Sequence, residues 1–418
     1  MSLQRRAFVI GGHISPFIGK NHPDFVWQRH PDFGQRDNPT LEQYISGAVL
    51  GALDATDVPA SAIEKAWIGN FVGELFSNQG HLGAVVAGAH PDLLHKPVMR
   101  VEGACASGGL AFASALESIQ AGADVTLAVG AEVQTTASAR VGGDYLARAA
   151  HYARQRDIDD FTFPALFARR IKAYRAAYSL TESELAHVSV KAYANANKNP
   201  LAHMHAVTMT HAHAAGEERN AKFLTNPEFK DFLKVSDCSQ VSDGGAALVL
   251  VSEAGLAKLG KSEHDAIEVL SLAHTTGNLF VDGDPLIMET TVAAAERAYA
   301  AAGLAPDAVQ IAEVHDCFTI TELLMMEALG FAAPGESVAQ VIDGRTALTG
   351  ALPINTGGGL VGFGHPVGAT GIKQILELHR QMKGHCGDYQ VGRSLEIGLT
   401  ANMGGDDKTA VVGLFANR

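Results

Sequence analysis

The chain has 418 residues, more than one ordinary hydrophobic core organises, so two or more domains or a duplicated one are expected. Its 47% hydrophobic content, 44 glycines and net charge of −13 suit a turn-rich α/β protein and argue against a broad nucleic-acid surface. No apolar run nears the roughly 18–20 residues that span a bilayer. The first apolar run is too short for a signal-peptide core, and the final "FANR" is not a peroxisomal tripeptide, so a cytoplasmic protein without membrane insertion is expected.

In chain order, "RAFVIGG" (6–12) predicts a buried strand, followed by a polar insertion that carries "HPDF" twice, at 22–25 and 30–33. Helical spacing covers 41–56 and 80–88, with a strand at 65–71 between them. "PVMRVEGA" leads into the small, apolar helix "CASGGLAFASALESIQAG", and 124–133 is another apolar strand. From 134 to 230 tyrosine, arginine, histidine and asparagine become more frequent, as in an insertion or cap over the core. Within it, Thr181 and Glu184 have the spacing of a capping box at the start of an amphipathic helix. The apolar strand pattern resumes at 244–253.

A second cycle then begins: strand 266–276, helix 292–303, strand 309–318, helix 319–331, a glycine-rich loop, a helix to about 382, and two last strands. Alternation that is interrupted and then restarted predicts two similar α/β halves packed together. The boundaries expected are 1–133 and 231–260 for the N-terminal half, 134–230 for the insertion, and 261–418 for the C-terminal half.

The four cysteines (Cys105, Cys238, Cys317, Cys386) show no CxxC spacing, so neither a zinc site nor a disulfide framework is indicated. Cys105 lies in "GACASGG", where a strand ends and a helix begins. Small neighbours and a helix N-terminus would lower a thiol pKa from about 8.5, although a buried structural cysteine fits the same turn. His365 in "GFGHPVGATG" is held by glycines at another helix start, as a general base near a thiol requires. If 309–318 is a strand, alternation puts His315 and Cys317 on one face and Asp316 on the other; core His and core Cys are the competing reading. "TANMGG" (400–405) ends a late strand in two glycines whose N–H groups could face an oxyanion, or form a plain turn.

Together "GACASGG", "NTGGGLVGFGHPVGATG" and "DCSQVSDGGAALVL" resemble the thiolase family, over nearly the whole chain. Two departures refine the resemblance. His315-Asp316-Cys317-Phe318 stands where most thiolases have Asn-Glu-Ala-Phe, and Asn402-Met403-Gly404 stands where they have Cys-x-Gly. Both departures resemble the sterol carrier protein type.

The resemblance implies two α/β halves in a layered α-β-α-β-α core, with a loop domain covering coenzyme A. It implies acyl transfer between a 3-oxoacyl-CoA and coenzyme A, by thiolytic cleavage or the reverse Claisen condensation, with no permanently bound cofactor and no metal. Cys105 would be the nucleophile, His365 its base and Cys317 the acid/base at the α-carbon. His315 and His365 would hold the thioester oxygen, the N–H groups of Cys105 and Gly404 would form a second oxyanion hole, and Ser239 would touch pantetheine. A homodimer or tetramer is implied, with a small zinc-ribbon/OB-fold protein as a further partner in some thiolase-fold complexes. The alternatives are a ketoacyl-synthase-like condensing enzyme, which lacks an HDC cysteine, or a partner-dependent, non-catalytic subunit.

Three segments have no place in that scheme. The four histidines of 203–213 raise a metal reading, though no carboxylate or cysteine punctuates the run. The basic, aromatic 169–178 reads as a solvated helix or as a contact for nucleotide phosphates. The aromatics of the 13–39 insertion either line a subunit or partner interface or pack on the surface.

Overall fold

The computed structural model describes residues 3–418. Nine strands form one mixed sheet: β1 (Ala7–Ile14), β2 (Lys65–Gly69), β3 (Val98–Val101), β4 (Val125–Glu132), β5 (Gly244–Ser252), β6 (Ile267–Thr276), β7 (Ile311–Val314), β8 (Ile397–Gly404) and β9 (Thr409–Asn417). Eight longer helices matter here: α1 (Leu41–Thr56), α2 (Leu82–Gly88), α3 (Ser107–Gln120), α4 (Thr162–Tyr178), α5 (Glu182–Ala196), α6 (Glu289–Ala302), α7 (Thr319–Ala328) and α8 (Thr370–Met382).

Strand order is β3-β2-β4-β5-β1-β6-β9-β8-β7. Within it β2 and β4 are parallel, and β4/β5 and β5/β1 antiparallel. The second half repeats this pattern as β7/β8 parallel, then β8/β9 and β9/β6 antiparallel. A duplicated unit is therefore written in the topology, which weak identity between the halves had left unproved. The halves meet where β1 and β6 pair at Phe8–Glu268 and Val9–Ile267, a joint short enough to let each half turn toward a shared helix layer.

That layer is α3 and α8, which pack on each other and on strands of both halves. Helices α1 and α2 cover the outer face of the first half, and α6 with α7 that of the second. The order helix, sheet, helix, sheet, helix explains the strand sequences. β4 and β5 are buried at every position because both faces are covered, and so they read as continuous apolar runs rather than alternating ones.

Local signals place most ends. Thr40 and Gln43 form a capping box at α1, and Thr181 and Glu184 form the expected one at α5. The strand expected over 309–318 stops at Val314, because the chain there leaves the sheet for the turn into α7. The "HPD" triplets at 22, 30 and 90 each make the same small turn. In each, the histidine Nδ1 accepts the aspartate N–H two residues on, at 3.1 Å. Trp27 and Phe33 of this insertion are exposed.

Helix α4 exposes its end, 176–178, but its basic side chains are taken by protein partners. Arg170 is 1% exposed, bonds Asp406 at 2.6 Å and donates to the Pro285 carbonyl at 2.9 Å. Arg169 bonds the same carboxylate at 2.9 Å, while Lys172 and Arg175 pair with Glu228 and Glu182. Phe167 of α4 stacks on Phe318 with ring centroids 4.4 Å apart. The inserted segment is thus bolted to the C-terminal half. Arg170→Met leaves Asp406 buried with half its partners. It is expected to cost about 3 kcal/mol, read as a lower urea midpoint at unchanged m-value.

Candidate active site

Cys105 lies between the end of β3 and the start of α3. Ala104, immediately before it, has φ +53°, a left-handed conformation that costs an alanine on the order of 1 kcal/mol. Ser107 pins the turn, accepting the Gly103 N–H at 3.1 Å and donating to the Ala104 carbonyl at 2.6 Å. Cys105 retains partial exposure, whereas His315 (0%), Cys317 (6%) and His365 (7%) are buried.

The Cys105 sulfur and one ring nitrogen from each of His315 and His365 lie within 4.8 Å of one another. The two rings meet edge to face with centroids 5.0 Å apart. Cys317 contacts Thr321, Sγ to Oγ1 3.8 Å, and the Cys105 thiol is among the groups that raise its pKa. Three of the side chains singled out in the sequence therefore share one space, with Cys317 electrostatically linked to Cys105, although His315 and Cys317 sit on a turn and not on an alternating strand. Asp316 points the other way. It accepts the Leu360 N–H at 2.6 Å, and its other oxygen stands where a Cβ on Gly359 (φ +63°) would lie 2.2 Å from it. Gly359 can be nothing larger.

Hydrogen-bond direction decides where the protons sit. Thr370 Oγ1 has one proton and two acceptors in reach, the Pro366 carbonyl at 3.1 Å and His365 Nδ1 at 2.7 Å; when the proton goes to the carbonyl, the His365 contact is an Nδ1–H donated to Thr370. His365 Nε2 is then a lone pair with no partner in the fold, as a base for Cys105 needs to be. At His315 the direction reverses. The Asn402 amide NH₂ donates to Nδ1 at 3.1 Å, leaving the proton on Nε2, which also has no partner. The pocket thus holds one imidazole that accepts and one that donates. A donor at that position suits a developing negative charge and not a cation.

Burial sets the resting charges. It pushes the Cys105 thiol up to about 12, against the opposing N–H groups of Gly405 and of Cys105 itself. The expected lowering at the start of α3 does not occur, because desolvation outweighs the helix terminus. Burial also lowers His365 to about 3 and takes His315 well below its usual range. Cys317 is raised well above the ordinary thiol value by burial, then by Cys105. All four groups rest neutral.

The other nominated residues are placed as follows. Gly404 ends β8 with its backbone pressed on Gly103, where a Cβ would lie 2.0 Å from the carbonyl oxygen. The N–H that reaches the Cys105 sulfur belongs to its neighbour Gly405, at φ +66°. Ser239 donates its backbone N–H to the Cys317 carbonyl at 2.9 Å, tying the segment before β5 to the reactive turn. The histidines of 203–213 are spent separately: His203, His205 and His211 each bond a backbone carbonyl. Among the described residues, the only His/Cys/Asp/Glu group with metal-like spacing is the Cys105, His315, His365 set.

Sequence reasoning missed Thr370, Ser242 and Glu132, and marked Asn402 only as a departure from Cys-x-Gly. Ser242 accepts the His365 N–H at 2.7 Å. Glu132, fully buried, accepts the N–H groups of Phe71 (2.8 Å) and Val72 (3.2 Å) and the Asn70 amide (3.0 Å), and bonds the N–H of Gly368 beyond His365. An acid ending an otherwise apolar strand was the available signal. Burial raises Glu132 to about 7 despite those donors. The folded chain therefore holds this proton more tightly than the unfolded one. The contribution of Glu132 to stability falls as pH rises from about 4.5 to about 7, by about 3 kcal/mol, and is flat above that. Glu132→Gln is expected to remove that slope, measured as the difference in urea unfolding between the two proteins at pH 5 and pH 7.5.

The family description "Thiolase, N-terminal domain" matches residues 33–254, and "Thiolase C-terminal domain-like" matches 271–417. The chain belongs to the thiolase family and is an acyltransferase of that class. Among its relatives, acetyl-CoA acetyltransferase of Methanothermobacter thermautotrophicus is 34% identical over 381 residues, 90% of this chain and 94% of that protein. Sterol carrier protein 2 of Homo sapiens is 28% identical over 414 residues, 96% of this chain and 70% of that protein. In fold, the chain is similar to an Ltp2-ChsH2(DUF35) aldolase (TM-score 0.75, 22% identity, all of both chains). It is also similar to the Acat5 thiolase of Ascaris suum in complex with coenzyme A (TM-score 0.68, 16% identity, 99% of this chain and 100% of that one).

Proposed function

We propose that this thiolase exchanges acyl groups between a 3-oxoacyl-CoA and coenzyme A through an acyl thioester on Cys105, with Cys317 as the second acid/base. The observation that carries the reading is the cluster of the Cys105 thiol with two imidazoles, with the second thiol, Cys317, electrostatically linked to it. Cys105 attacks the β-carbonyl carbon as His365 Nε2 takes its proton. The bond between the α- and β-carbons breaks, its electron pair passes to the departing acetyl-CoA enolate, and Cys317 protonates the α-carbon. His315 Nε2–H faces the enolate oxygen. Incoming coenzyme A gives its thiol proton to the Cys317 thiolate and takes the acyl group, and the Cys105 thiolate recovers its proton from His365. Nucleophile and shuttle need different proton affinities at different moments, so one thiol cannot serve as both.

The β-carbonyl oxygen is assigned to the N–H groups of Cys105 and the Gly404–Gly405 turn, and pantetheine to Ser239. The reading includes the domain division 1–133, 134–230, 231–260 and 261–418, the inserted part capping coenzyme A. It includes a cytoplasmic location and a homodimer or tetramer. The free edge of β3, with Met99 half exposed, supports self-association. Among the described residues, no helix is long and apolar enough to cross a membrane.

The test is coenzyme-A-dependent cleavage of acetoacetyl-CoA and longer or branched 3-oxoacyl-CoAs by the purified protein, followed at the enolate absorbance. No cleavage of any member would sink the reading. A partner-dependent role is the second reading, favoured by the similar fold in an aldolase with a DUF35 protein and by 29% identity to a relative named benzoylsuccinyl-CoA thiolase subunit BbsB. Turnover that appears only with a co-purified small protein would support it.

A further inference from the structure

Asn402 stands where most thiolases have a reactive cysteine, yet the fold uses it fully. Its Oδ1 accepts the Gly109 N–H at 3.1 Å. A backbone N–H can only donate, so that contact fixes which end of the amide is oxygen. The NH₂ end then donates twice, to the Cys105 carbonyl at 3.2 Å and to His315 Nδ1 at 3.1 Å. A carbonyl can only accept, so both ends of the amide are fixed independently. Flipping Asn402 would set NH₂ against an N–H and oxygen against a carbonyl. His315 is 0% exposed, so no water competes for Nδ1.

We propose that Asn402 is a positioning residue that keeps the His315 proton on Nε2, making His315 a hydrogen-bond donor to the reacting oxygen and never a second base. The position that supplies a proton carrier in most thiolases here supplies a tautomer lock, and proton transfer at the α-carbon falls to Cys317. The same amide holds the Cys105 carbonyl, so the lock and the nucleophile turn move as one piece. The catalytic consequence rests on the proposed thiolase chemistry; the tautomer does not.

The experiment uses full-length protein carrying ¹⁵N-labelled histidine, with the His315 resonances among 18 histidines assigned by their loss in His315→Asn. In the wild type, His315 Nδ1 is expected to resonate as an unprotonated nitrogen and Nε2 as a protonated one, unchanged from pH 6 to 8. Asn402→Asp, the same size but an acceptor, is expected to draw the proton onto Nδ1. Asn402→Ala is expected to leave a mixture. In both variants kcat for 3-oxoacyl-CoA cleavage should fall about 10- to 100-fold, with KM within about threefold. A protonated Nδ1 in the wild type, or an unshifted His315 in both variants, overturns the proposal. Should the wild type cleave no 3-oxoacyl-CoA, the proposed function fails while the nitrogen resonances still decide the role of Asn402.

Discussion

Cys105→Ala is expected to abolish the acyl-enzyme. Mixed with acetoacetyl-CoA and without free coenzyme A, wild-type protein should gain the mass of one acetyl group, lost again when coenzyme A is added. The alanine variant should gain nothing, and its kcat should fall by at least about 10⁴-fold, the scale on which enzymes lose rate with their nucleophile. The small side chain fits the turn: Cys105 is partly exposed, and the backbone is held by Ser107 and Asn402 rather than by its sulfur. Loss of activity with an unchanged melting temperature would thus be a chemical loss. An acetylated alanine variant would move the nucleophile to another residue, with Cys317 the nearest thiol.

Cys317→Ala is expected to split the reaction. Acylation of Cys105 from a preformed activated thioester needs only His365, and should persist within about tenfold of wild type. Exchange of the acetyl-CoA α-protons for deuterium needs an acid/base at that carbon, and should fall by about 10²- to 10⁴-fold. The resting Cys317 thiol is held well above its usual pKa by burial and by Cys105. Its thiolate is therefore a strong base when formed, and the exchange rate should still be rising at pH 9. Undiminished exchange in Cys317→Ala would remove the residue from the mechanism and leave His315 or His365 as the shuttle.

The contrast between these variants rests on residues of one element type reaching one space by different routes. Cys105 arrives at the start of a helix, where its small neighbours are visible in the sequence. Cys317 arrives from a turn that the sequence reads as a strand, because "VQIAEVHDCF" carries apolar residues through to Phe318 and has no glycine or proline to mark where the sheet stops. The error in the element left the nomination intact, since both residues are chemically unusual at their positions. Helix α4 went the other way. Its basic composition was plain, but whether those charges faced water, a ligand or Asp406 depended on a residue 236 positions away.

Periodicity, capping pairs and glycine loops let the sequence alone specify the alternating α/β class and the two cycles. Its motifs also singled out Cys105, His315, Cys317 and His365 as reactive. Those signals are local: each depends on residues within a turn or two of one another. What only the tertiary structure decided is the state of those residues. The partner of His365 Nδ1 is Thr370, and the proton on His315 is placed by Asn402, 87 residues further along the chain. The Cys105 pKa is set upward by burial against elements that no helix-start argument contains. Protonation and hydrogen-bond direction are properties of a packed environment, and a sequence lists the members of that environment without saying which will meet.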